Sequence, residues 1–261
     1  MLGKIYEVNG YVVNSNENSQ GFNSAAYISF PVDEEEKVEI FETIGLDVES
    51  NEYHLSNISG DYPPELEKYF CENTDFETVN LIAAALNEIQ DDEEQQVLET
   101  LLKDGCDFFI ACGNIIADNY EIIEGNCLED LAIDKIDSLG GFEELDDDTI
   151  YEYTDLEKLG TIERIIFQQD EARKETASEY WCGRPDATDY DIAVSMSEKI
   201  DIRSTSNYKE CFMYEEYGND IALDGNYVIG ETMILDLYLF DDDMGEALKA
   251  KLKEELSLYC E

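Results

Sequence analysis

Positive charge is what this chain has least of: 16 Lys and Arg stand against 64 Asp and Glu, a formal net charge of −48. A surface so anionic excludes nucleic acid and anionic membranes as direct binding partners, because both would be repelled. Histidine is almost missing too. His54 is the one imidazole, so general acid–base chemistry lacks its commonest agent and zinc sites lack their usual Cys/His pairs. Seven cysteines at 71, 106, 112, 127, 182, 211 and 260 form an odd set without a CxxC pair, which reads as reduced, buried thiols. Four Pro and 16 Gly argue against long flexible linkers. The opening Met1-Leu2-Gly3-Lys4-Ile5-Tyr6 has no apolar core of a signal peptide, and no apolar run reaches the ~18 residues of a membrane span. The expectation is a soluble cytoplasmic protein.

What is present is a folded chain with a charged skin. Hydrophobic residues make up 43%, with 17 Tyr and 11 Phe, too many for the acid-rich, aromatic-poor composition of disorder. The charge is uneven along the sequence: residues 1–163 hold 41 acids and 6 bases, residues 164–261 hold 23 and 10.

The pattern predicts an α+β chain. KIYEVNGYVVN (4–14), AAYISF (25–30) and EYHLSNI (52–58) read as strands. Between the last two, Pro31 opens PVDEEEKVEIFETIGL, where Val38, Phe41 and Ile44 give an apolar helical stripe behind an acidic first turn and Gly45 a stop. Thr74 as cap with Glu77 three later predicts a helix with Val79, Ile82, Ala83, Leu86 and Ile89 on one face. A second helix starts at Asp91-Asp92 and ends at Gly105, making an αα-hairpin. FFIACGNIIADNYEII (108–123) mixes buried runs with a Gly-Asn break, and CLEDLAIDKIDSLGG ends at Gly140-Gly141. Residues 160–180 read as a connection, in part helical. Beyond it YDIAVSMSEKIDIRS, KECFMYEEY and NYVIGETMILDLYLF read as strands, before a closing amphipathic helix, DMGEALKAKLKEELSLY. The expected domains are 1–66, N-terminal α+β; 67–163, central and largely helical; and 178–261, C-terminal and β-rich.

No motif points to catalysis: there is no G-x-S-x-G, Walker loop or G-x-G-x-x-G. A carboxylate pair for glycoside hydrolysis carries no specificity among 64 acids. The runs Glu34-Glu35-Glu36, Asp146-Asp147-Asp148 and Asp241-Asp242-Asp243 do not fit a calcium loop, and neighbouring acids on one element cannot all face one ion. Neither a metal nor another cofactor is expected. Salt adaptation would spread acids evenly with few large apolar side chains, which is not the pattern here.

Mimicry of nucleic acid accounts for the excess. Duplex DNA carries one charge per ~1.7 Å of axis, about one phosphate per 107 Å² of a 10 Å cylinder. Spread over the roughly 11,600 Å² expected for a globule of this mass, 64 acids fall near one per 180 Å². Acids gathered on one elongated face, across small domains in a row, would match the duplex. The candidate phosphate-mimicking residues are Asp33, Glu34, Glu35, Glu36, Asp91, Asp92, Glu93, Glu94, Glu143, Glu144, Asp146, Asp147, Asp148, Glu152, Asp155 and Glu157. Any single run would ordinarily be a solvated helix face or turn; the sum is what needs explaining.

From about residue 27 to 166 the order of segments resembles the ArdA antirestriction family of DNA mimics. The pieces are FPVDEEEKVEIFETIGL, EYHLSNIS before the Pro turn, FETVNLIAAALNEI with EEQQVLETLLKDGCD, NYEIIEGNCLEDLAIDKIDSLGGFEEL, and IYEYTDLEKLGTIERI. The resemblance implies an elongated, homodimeric chain of small α/β domains that fills the basic DNA groove of type I restriction–modification enzymes. NSNENSQGFNSAAYISF departs from the family's N-terminal pattern, and about 90 residues continue past its usual end. A CRISPR nuclease as the target, or an acidic adaptor that binds a basic protein, are the alternatives.

Overall fold

A computed structural model describes residues 5–16, 24–71, 74–169 and 208–257. The fold is α+β. In chain order it runs β1 (Glu7–Asn14), β2 (Ala25–Phe30), α1 (Glu34–Thr43), β3 (Tyr53–Asp61), α2 (Phe76–Glu88), α3 (Asp92–Asp104), α4 (Phe108–Ile116), β4 (Glu121–Ile123), α5 (Leu128–Ser138), α6 (Asp147–Glu152), α7 (Leu156–Gln169), α8 (Tyr214–Asp224), β5 (Tyr227–Ile229), β6 (Ile234–Asp236) and α9 (Met244–Ser257). The first three strands form an antiparallel sheet of order β2–β1–β3, and the short strands a second sheet, β4–β6–β5. Among the described residues no helix is long and apolar enough to cross a membrane.

The chain divides into two compact units, residues 1–121 with 235–261, and residues 122–234. This replaces the expected division at 1–66, 67–163 and 178–261, because the central helices pack onto the first sheet and the closing helix joins them. The first unit grows from β1, whose alternation sends Val8 and Val12 inward. Phe30, Phe41 and Phe76 meet behind the sheet, with Phe76 5.3 Å from Phe30 and 5.7 Å from Phe41. Buried Asn80 fixes α2 to the segment after β2: its Oδ1 accepts from Val32 N at 2.7 Å and its Nδ2 donates to Val32 O at 2.8 Å. A bulge in β3, with Asn57 at φ 53°, restores the register opposite Asn9 and Tyr11.

Helix α4 is the buried centre of this unit. Both α2 and α3 lie against it, so the expected hairpin is joined through a third helix. The predicted break at Gly113-Asn114 is continuous helix instead, and those two residues are where α9 docks. A Cβ on Gly113 would fall 2.6 Å from Met244 O. Fully buried Asn114 donates to Ile110 O at 2.9 Å and Asp241 O at 2.8 Å, and accepts from Asp241 N at 2.8 Å and Asn119 Nδ2 at 3.1 Å. Leu248 and Leu252 complete the seal. The cap of α2 also differs from expectation: Asp75 accepts from Thr78 N at 2.8 Å, while Thr74 donates to Tyr69 O at 2.6 Å. A carboxylate is the stronger cap, and Thr74 is used to close the preceding turn.

The second unit packs α5 against α8, with Gly218 so close that a Cβ would sit 1.9 Å from Leu128 O. Ile136, Leu145, Ile150, Leu156 and Leu159 bury against Tyr208, Cys211 and Phe212. Phe212 is ringed by Phe142 at 5.0 Å, Tyr214 at 5.1 Å and Tyr217 at 5.5 Å. The segment 209–217 is therefore not the expected strand: a 3₁₀ turn, Tyr208–Cys211, leads into α8. Tyr214, Tyr217 and Gly218 recur at helical spacing, and Glu215 and Glu216 occupy the first turn. Strand 190–204 and the 170–180 part of the expected connection lie outside the described residues. The rest of that connection is α7.

Candidate functional site

The acid runs exist because helices start there. Asp33 caps α1, its Oδ1 accepting from Glu36 N at 2.9 Å, and Glu34 pairs with Lys37 at 3.4 Å. Glu35 and Glu36 point to solvent. Asp91 caps α3, accepting from Glu93 N at 2.8 Å, and Glu94 reaches back to Asp91 N at 3.4 Å to close a capping box. Asp92 and Glu93 stand exposed. The field of this run is felt nearby: the Tyr120 phenol is held above its ordinary pKa by burial first, then by Glu94, Asp118, Glu93 and Asp91.

In the second unit Asp146 caps α6. Its carboxylate accepts from Thr149 Oγ1 at 2.7 Å and Thr149 N at 2.8 Å, and these bonds, the side-chain one first, hold its pKa below the usual carboxylate range. Asp155 precedes α7 and accepts from Lys158 N at 2.9 Å. Glu143 pairs with Lys209 at 2.8 Å. Glu144, Asp147, Asp148, Glu152 and Glu157 are exposed. None of the sixteen predicted acids is buried. They separate into two kinds: those whose oxygens close a helix end, and those presented outward.

Both units share the charge. Residues 1–121 with 235–261 carry 35 acids and 7 bases; residues 122–234 carry 29 and 9. At net −28 over 148 residues and −20 over 113, the densities are nearly equal. The contrast between the front and back of the sequence disappears once the closing helix is counted where it packs.

One acidic feature escaped the sequence reading. Glu152 and Tyr153 line an open cavity of about 590 Å³ with Glu215, Glu216, Asn219 and Asp220. The Tyr153 hydroxyl donates to Asp220 Oδ2 at 2.6 Å, which, ahead of burial, pushes that phenol's pKa up. The signal was in the sequence: Glu216 and Asp220 are i and i+4, one face of a helix, hidden by reading the segment as a strand.

Other candidate chemistry resolves into local bonds. His54 Nδ1 lies 3.1 Å from Ser15 Oγ. The Asp241 carboxylate accepts from Asp243 N at 2.9 Å, ahead of α9. Among the described residues no three His, Cys, Asp or Glu side chains are placed to hold a metal ion. Burial pushes the Cys106 thiol up to about 11 and raises Cys112 well above the ordinary value, which makes both poor nucleophiles.

Comparison with protein-family models, with curated proteins and with solved structures finds no match to this chain.

Proposed function

We propose that the chain is a non-enzymatic, cytoplasmic DNA mimic that occupies the DNA-binding groove of a type I restriction–modification enzyme and protects mobile-element or phage DNA. The observation that supports this is the placement of the acids. Acids lie at the starts of α1, α3, α6 and α7, where Asp33, Asp91, Asp146 and Asp155 close the helices and neighbouring acids point outward; Glu143 and Glu144 stand in a turn before α6, and Glu152 ends that helix. A helix start holds its acids cheaply, since the dipole offsets part of their mutual repulsion. It also holds them on rigid backbone, as a phosphate-like array requires. The ArdA-like order of segments points to the same role and to a homodimer.

The mechanism is competition. Outward carboxylates such as Glu35, Glu36, Asp92, Glu93, Asp148 and Glu152 meet the lysines and arginines that would hold phosphates. The counterions around both surfaces are released, so affinity falls steeply with salt. Single substitutions have small effects because many contacts share the energy.

The test is plating of unmodified phage on cells that carry a type I system and express the protein. Restored plating is expected, and purified enzyme should be released from inhibition by competitor duplex. Unchanged restriction with the protein folded and abundant would overturn this target and favour a CRISPR nuclease or an adaptor role. Full inhibition after charge reversal of all four runs would overturn the acid assignment.

A further inference from the structure

We propose that a second copy of this chain adds its β2 to the open edge of β2, joining two three-stranded sheets into one of six. The contact deepens the preceding reading and rests on it for the homodimer alone. Strand β2 is an outer strand in the order β2–β1–β3. Its register on β1 runs from Val8 opposite Phe30 to Val13 opposite Ala25, and Asn14 N donates to Ser24 O at 2.9 Å in that same register. Hydrogen-bonded pairs recur at every second residue of an antiparallel ladder, so Ala26, Ile28 and Phe30 bond to β1. The N–H and C=O groups of Ala25, Tyr27 and Ser29 point the other way, and these six groups have no partner among the described residues. The side chains of all three are exposed.

An open edge is a template for another strand, and folds commonly blunt it with charge, proline or a bulge. The opposite edge of this sheet is blunted, since β3 carries the bulge at Asn57 and ends at Asp61. Strand β2, AAYISF, has none of these devices and is the only one of the three strands without an acidic residue. That decides the occupant. A basic partner is drawn to carboxylates and finds none along this edge. A second chain of net charge −48 meets least repulsion where charge is absent. The outward row is also self-complementary, as a two-fold contact requires. With Tyr27 on the axis, its N–H and C=O pair with those of the second copy's Tyr27. Ala25 then pairs with the second copy's Ser29, and Ser29 with its Ala25, so every outward group is satisfied. Pro31, next in the row, has no N–H, which ends the pairing at Ser29. The two Tyr27 residues stand about 5.5 Å apart at Cα with their side chains on one face. Tyr27 is 61% exposed and already meets Tyr11 edge to face at 5.4 Å, so four rings line up across the joined sheet and cover one another.

The experiment follows sedimentation of the full chain across concentration, at low and at high salt. A dimer is expected that tightens as salt rises, because screening weakens repulsion between the copies, whereas binding to a basic groove loosens. Amide exchange read by NMR should show Ala26, Ile28 and Phe30 protected at every concentration, and Ala25, Tyr27 and Ser29 protected only in the dimer. Ala25→Pro removes an outward N–H and no bond to β1. With two symmetry-related hydrogen bonds lost, it should weaken the dimer about thirtyfold and leave the urea midpoint of the monomer nearly unchanged. Tyr27→Asp sets like charges side by side on the axis and should weaken the dimer too, with part of the loss restored by salt. A dimer whose outward amides stay unprotected, or one that Ala25→Pro leaves intact, would overturn this contact while leaving the homodimer standing. A monomer at every concentration and salt would overturn both, with groove filling still judged by phage plating. Protection of the outward amides only when a restriction enzyme is added would assign the edge to a strand of that enzyme and overturn the second copy.

Discussion

The two units solve the same electrostatic problem differently. In the first, a helix from the far end of the sequence brings in three lysines. Lys251 pairs with Glu88 at 3.1 Å, Lys253 with Glu77 at 2.7 Å, and Lys249 with Glu246 at 2.8 Å while lying over the Phe109 ring. Acids on α2 are thereby matched. In the second unit Glu152, Glu215, Glu216 and Asp220 line one cavity, with a tyrosine hydroxyl on one of them. Its core gathers aromatic rings around Phe212, where the first unit's sets Phe30, Phe41 and Phe76 behind the sheet and Phe108 on α4. The lesson is that acidity tolerated by a fold needs a compact core beneath it, and that either local neutralisation or outward presentation can follow.

The largest effects should separate the two cores. Phe212→Ala removes a ring touching four other aromatics and should cost about 4 kcal/mol. Hydrogen exchange should accelerate in α5 and α8 first. Asn114→Ala leaves the backbone N–H and C=O of Asp241 without their buried partner and should cost about 3 kcal/mol, with exchange rising in α9 and α4. Uniform acceleration in both units after either change would show one cooperative block, and the comparison would fail.

Much of the first unit is visible in its sequence. Strand β2 begins and ends where its alternation does, at Ala25 and Phe30, and α3 is bracketed by the Asp91–Glu94 capping box and by Gly105 at φ 96°. These are local signals. The docking of α9 is not local: Asn114 and Asp241 are 127 residues apart, and nothing within either segment reports the other. Segment 209–217 fails for another reason. Over nine residues rich in Tyr, Phe and Met, strand propensity competes with helical spacing, and only burial against α5 decides. Glu215, Glu216 and Asp220, the cavity acids on α8, were lost with that choice of period, while Glu152 was already among the predicted acids.

The two kinds of acid give a smaller, sharper contrast. Asp91→Ala removes a helix cap and should cost about 1 kcal/mol, read from the urea midpoint, with inhibition at permissive temperature nearly unchanged. Asp92→Lys with Glu93→Lys should behave in the opposite way, weakening inhibition and its salt dependence with little loss of stability. Asp146 extends the contrast to acid pH. Its folded pKa lies below the ordinary value, so the stability it adds is present above the unfolded carboxylate's pKa and is lost as pH falls through the folded one. Asp146→Asn should flatten that acid limb; an unchanged limb would show that the cap's charge does not matter.

The smallest effect tests how α9 is held. Hydrogen bonds to Glu88 and Glu77 raise the pKa of Lys251 and Lys253 respectively. A raised lysine contributes stability fully below its unfolded pKa and loses it as pH rises through the folded one, so the window is strongly alkaline. Both pairs are about half exposed and screened by solvent, so each is worth no more than about 0.5 kcal/mol. Lys251→Met with Lys253→Met should therefore shift the urea midpoint slightly, and the shift should vanish at high salt. Leu252→Ala, at a side chain 2% exposed, should cost about 3 kcal/mol at any salt. If the lysine pair outweighs the leucine, the helix is held by charge rather than by its buried face. The neutralisation seen in the first unit would then be what fastens the helix, not a consequence of its packing.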